Sequence, residues 1–156
     1  MSEQDYVQMV TPLTDGEEVL AAGVFEPRGT SGGQAAASTG FAGRDLTLAA
    51  ISTAAMAGAG HAAAVIEHQP RWTILTVTPT RVIAFEGKAD GVHWKPGQVY
   101  ATFDRSSLAV TVHGRVNVRV VVLEDTASGT RLELETMRIG PQHGTVVIHL
   151  LTDSAA

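Results

Sequence analysis

The segment Arg115–Leu123 (RVNVRVVVL) places valine at every second position from Val116 to Val122, and Arg131–Thr136 (RLELET) alternates again after a polar turn at Asp125–Gly129. Successive side chains of a strand point to opposite faces, so this period fits an antiparallel sheet with one wet side. The alternation predicts Val116, Val118, Val120 and Val122 on the core face, with Arg115, Asn117 and Arg119 facing solvent. In the second strand Leu132 and Leu134 point in, and Glu133 and Glu135 point out. With Glu124 and Thr130 closing the hairpin, Val122 faces Leu132 and Arg119 faces Glu135, an opposite-charge cross-strand pair.

The β signal begins well before this hairpin. Arg71–Thr78 is rich in β-branched and aromatic residues, Pro79–Thr80 marks a turn, and Arg81–Gly87 returns. Lys88–Gly97 reads as turn chemistry around Trp94, followed by short strands at Gln98–Phe103 and Ser107–His113. Asp104–Arg105–Ser106 divides those two. The β core therefore spans 71–136. Pro141 suits a first helical turn, and Val146, Val147, Leu150 and Leu151 fit one helical face over 141–151, although VVIHLL also suits a buried strand.

The first seventy residues have a different character. Residues 1–13 read as a loose or only partly ordered leader, and Glu17–Glu26 as a strand ending at Pro27 or a short helix capped by Thr14 or Asp15. Pro27–Gly40 has almost no large apolar side chain and cannot offset its ordering entropy, which predicts a mobile loop. Asp45–Ala57 reads as an alanine-rich helix, with Asp45 as N-cap and Gly58–Ala59–Gly60 as the stop. Leu46–Ile66 is long enough to span a bilayer. It is mostly Ala, Gly, Ser and Thr, however, and too poor in large aliphatics to prefer lipid. The whole region 27–70 reads as an insertion carrying a helix that packs on protein.

Charge and composition narrow the function. Among 156 residues there are 11 Lys and Arg against 16 Asp and Glu, a formal net charge of −5. No stretch has the basic surplus of a phosphate-tracking surface, which disfavours nucleic acid as a partner. The absence of cysteine removes disulfides, thiolate metal sites and cysteine nucleophiles. The opening MSEQDYVQMV lacks the basic and apolar regions of a secretory signal, so the expected location is cytoplasmic.

Three segments carry a family resemblance: Gly16–Glu17–Glu18–Val19–Leu20, Leu75–Thr76–Val77–Thr78–Pro79–Thr80–Arg81–Val82, and Phe103–Asp104–Arg105. With one strand, an insertion, six strands and a C-terminal helix, the chain resembles the small bacterial pleckstrin-homology-like (PH-like, GRAM-like) domain proteins over residues 14–26 and 71–151. The resemblance implies a single domain, a seven-stranded antiparallel barrel closed by a C-terminal helix, with the alanine-rich insertion between the first two strands. The family's phosphoinositide-binding members carry clustered Lys and Arg around that first loop. Here only Arg28, Arg44 and Arg71 occur, far apart, so headgroup binding does not transfer.

The chemistry-bearing residues point to no reaction. His61, His68, His93, His113, His143 and His149 show no helical metal spacing, GxSxG is absent, and Gly29–Gly33 lacks the lysine and strand-to-helix setting of a P-loop. Glu17–Glu18, Glu124–Asp125 and Glu133/Glu135 fit strand starts, turns and a solvated face. The expectation is a chain with no catalytic residue, cofactor or metal. It serves as a protein-interaction module that binds another protein or itself as a homodimer, with peripheral lipid binding as the alternative. The candidate surface comprises Ile51, Ala55 and Ala59 on the insertion, the loop aromatic Trp94, and the strand-face cations Arg115 and Arg119.

Overall fold

A computed structural model describes residues 1–30, 69–114 and 116–154. Among them the order is α1 (Glu3–Val10), β1 (Ala21–Pro27), β2 (Trp72–Val77), β3 (Arg81–Asp90), β4 (His93–Asp104), β5 (Leu108–Gly114), β6 (Val118–Asp125), β7 (Arg131–Met137) and α2 (Gly144–Ser154). The seven strands form one antiparallel sheet in the order β4-β3-β2-β1-β7-β6-β5. β1 joins the two halves: Ala21–Phe25 pair with β2, and Glu26 and Pro27 pair with β7. The barrel expected from the sequence does not close, because β4 and β5 remain the two edges of an open sheet. The expected insertion helix lies outside the described residues.

Two apolar layers explain why the first strands show no alternation. On one face Phe25, Leu75, Val82, Phe103, Val121, Leu123, Leu132 and Leu134 pack with Val147, Ile148 and Leu151 of α2. On the other, Ala22, Val24, Ile74, Ile83 and Phe85 are covered by Tyr6 and Val10 of α1. A strand buried on both faces shows no polar alternation, and in WTILTV even Thr73 and Thr76 are buried. The supposedly loose leader is therefore ordered. Ser2 and Asp5 form a capping box, in which the Asp5 N–H donates to Ser2 Oγ and the Ser2 N–H to Asp5 Oδ2. Tyr6 and Val10, four apart, share the face turned to the sheet.

Residues 21–27 settle as strand, and the C-terminal segment as helix. The turn expected across Lys88–Gly97 shrinks to Gly91–Val92, with Gly91 at φ +65°, and both strands continue through the rest. The last hairpin differs by one residue from the expected register. Leu123, not Val122, opposes Leu132, and Arg119 opposes Thr136, not Glu135. Asp125 accepts from the Ala127 N–H and the Ser128 hydroxyl, which shortens the loop and shifts the pairing. The core face also changes. Val121 and Leu123 join the main core, while Val118 is half-buried and Val116 exposed.

The three segments behind the family resemblance meet at the β2–β3 turn. Glu17 accepts hydrogen bonds from Thr78 Oγ1 at 2.8 Å, Thr80 Oγ1 at 2.6 Å and Arg81 Nε. Arg105 donates Nη1 to the Thr78 carbonyl and its N–H to the Thr80 carbonyl. The Thr80 and Thr78 hydroxyls, then Arg81, hold the Glu17 carboxyl below its ordinary 4.5. The unfolded chain therefore takes up this proton at higher pH than the folded one. The stabilisation is present above pH 4.5 and is lost as the pH falls below it. In thermal melts run down through that range, Glu17→Gln should show a shallower acid decline than wild type. Parallel declines would contradict the assignment.

Candidate interaction surface

The β5–β6 turn and the β7–α2 connection form one corner of the fold. Gly114 opposes Arg119 across the β5–β6 hairpin, and Val118 opposes Met137 across β6–β7. The Arg138 N–H donates to the Asn117 carbonyl at 2.9 Å, which ties the two connections together. A Cβ at Gly114 would lie 3.0 Å from Arg138 Nη2, so the guanidinium sits over the hairpin end. From this corner Val116 projects 87% exposed and Ile139 85%, with Met137 beside them at 39%. Residues 113–119 and 136–152 contain three arginines and no acid, in a chain whose net charge is −5. The corner thus joins protruding aliphatic surface to the Arg138 guanidinium.

The sequence-derived candidates fall differently. Ile51, Ala55, Ala59 and Arg115 lie outside the described residues. Trp94 is half-buried on the outer face of the sheet, 5.0 Å from Trp72 between ring centroids, with the Arg71 guanidinium 5.6 Å over the Trp72 ring. Arg119 is half-buried, shares its face with Val121 and Leu123, and its Nε is buried with no hydrogen-bond partner among the described residues. Sequence reasoning missed Ile139 and Arg138, and it assigned Val116 to the core. The available signal was Ile139 itself, an isolated aliphatic in the turn-forming stretch RIGPQHG.

The two sheet edges also differ. β4 carries Lys95 and Pro96, and its pairing with β3 is interrupted by register shifts around Phe85. Such features discourage strand addition. β5 has none of them. All seven of its residues pair with β6 in unbroken register, and 106–114 contain no Asp, Glu, Lys or Arg.

The polar groups with defined partners serve the fold. Glu133 bridges Arg28 and Arg131, each at 3.1 Å, while Asp104 and Asp125 accept from neighbouring N–H and hydroxyl groups. Tyr100, hydrogen-bonded to Thr73, is pushed up to about 12 by burial, so it stays protonated through the neutral range. Among the described residues no three His, Cys, Asp or Glu gather as a metal group, and no helix is long and apolar enough to cross a membrane. No family model, curated protein or solved structure matches the chain.

Proposed function

We propose that the protein is a non-enzymatic interaction module of PH-like architecture, cytoplasmic, which docks a protein partner of apolar and acidic surface at the Val116–Ile139 corner. The carrying observation is that pair of exposed aliphatics beside Arg138, in stretches of sequence that hold three arginines and no acid. Exposed apolar surface of this kind marks interaction sites, and the cations select an acidic neighbour. The strand order and C-terminal helix support the PH-like reading. The alanine-rich segment 45–57 belongs to the same proposal as a further contact element.

A peripheral bilayer contact is the second reading, favoured by the same arginines. Two features weigh against it. The corner has no Trp or Tyr at its tips, the residues enriched at membrane interfaces, and the net charge of −5 opposes approach to anionic lipid. Flotation with phosphatidylglycerol vesicles at low and high salt separates the readings. The chain should stay with the unbound fraction at both. Salt-sensitive flotation that disappears in Ile139→Asp would overturn the protein reading and assign the corner to lipid.

A further inference from the structure

We infer that β5 is a second docking surface, built to pair with the β5 strand of another copy and form a two-fold dimer with a continuous sheet. The inference extends the interaction reading to the open edge of β5, which meets the arginine corner only at its last residue, Gly114. A terminal strand presents one row of backbone N–H and C=O groups to its open side. Of the two terminal strands, β4 is blunted by Lys95, Pro96 and its irregular register, whereas β5 is regular and uncharged.

The occupant follows from the symmetry of the β5 sequence. Leu108, Val110 and Val112 pack at the margin of the main core, while Ala109, Thr111 and His113 are exposed. Antiparallel self-pairing centred on Thr111 sets Val110 of each copy opposite Val112 of the other. It sets Ala109 opposite His113, and Leu108 opposite Gly114. The two members of each pair then lie on the same face as one another, so the half-buried valines of both copies form a shared apolar row. No like charges meet anywhere along the strand. The contact is isologous and closes at two copies.

Sedimentation equilibrium of the full chain provides the test. Wild type should self-associate reversibly. Thr111→Lys, an exposed position, places two cations opposite each other on the two-fold axis and should weaken association roughly fivefold or more. Thr111→Glu should do the same, and an equimolar mixture of the two variants should recover the dimer. Unchanged circular dichroism establishes that both variants fold. Ile139→Asp should leave the dimer intact, which separates this contact from the corner. A wild type monomeric at all concentrations, a Thr111→Lys variant that associates as wild type does, or a mixture that fails to recover would each overturn the inference.

Discussion

Val121→Asp is expected to unfold the protein, while Val118→Asp, three residues earlier in the same strand, leaves it folded. Val121 is fully buried among Leu134, Leu123 and the α2 residues Val147 and Ile148, where a carboxylate has no polar partner. Burying an unpaired charge costs several kcal/mol, comparable with the roughly 5–15 kcal/mol total stability of a domain. Val118 is half-buried at the start of β6, opposite the partly exposed Met137, so a charge there reaches water at a cost of about 1 kcal/mol. Denaturant melts of the two variants check the register. Equal loss of stability would contradict the placement of Val121 in the core.

Gly23→Val should have an effect of similar size for a different reason. α2 starts against β1 at a contact of backbone on backbone. A Cβ on Gly23 would lie 2.8 Å from both Gly144 Cα and the His143 carbonyl oxygen, and one on Gly144 would lie 2.6 Å from Thr136 Cβ. Neither neighbour is a flexible side chain that can swing aside. The approach is fixed by polar contacts. The Val24 N–H donates to the Gln142 carbonyl at 2.7 Å, and the Met137 N–H to Gln142 Oε1, also at 2.7 Å. Two added methyls and a Cβ would push the helix off the core, at a cost of roughly 3 kcal/mol or more. Loss of α2 packing should appear as a lowered melting temperature with increased amide exchange in residues 144–154. A melting temperature equal to that of wild type would contradict the close approach.

Strand content was legible because it rests on local pattern. β-branched runs and turn residues marked the strands from 72 to 137, apart from the 88–97 stretch, which is strand on both sides of the Gly91–Val92 turn. Register was less legible, since the length of the 125–130 loop depends on the side-chain bonds of Asp125, which composition does not reveal. The face of β6 was misread because Val120 to Leu123 are buried on both sides, where alternation carries no information. The α1 helix was missed although Ser2 and Asp5 give its cap and Tyr6 and Val10 its buried face; both signals are short, and only the outer face of the sheet gives them meaning. Closure of the barrel depends on whether β4 meets β5, a contact distant in sequence that no local pattern specifies.

The same limit applies to the candidate surface. Trp94 and Arg119 stood out by residue type, yet one packs at a tilt against Trp72 and the other shares the face of the core residues Val121 and Leu123. Val116 and Ile139 become a surface only when the β6–β7 pairing and the Arg138–Asn117 bond bring two separate turns together. A photo-crosslinking residue placed at position 139 of the full chain in cells tests the docking claim most directly, with position 92, an exposed valine at the β3–β4 turn, as the control. The account predicts one defined protein adduct from position 139, absent from position 92 and lost when Arg138→Glu is added. No adduct at 139, the same adducts from both positions, or an adduct with lipid alone would contradict it.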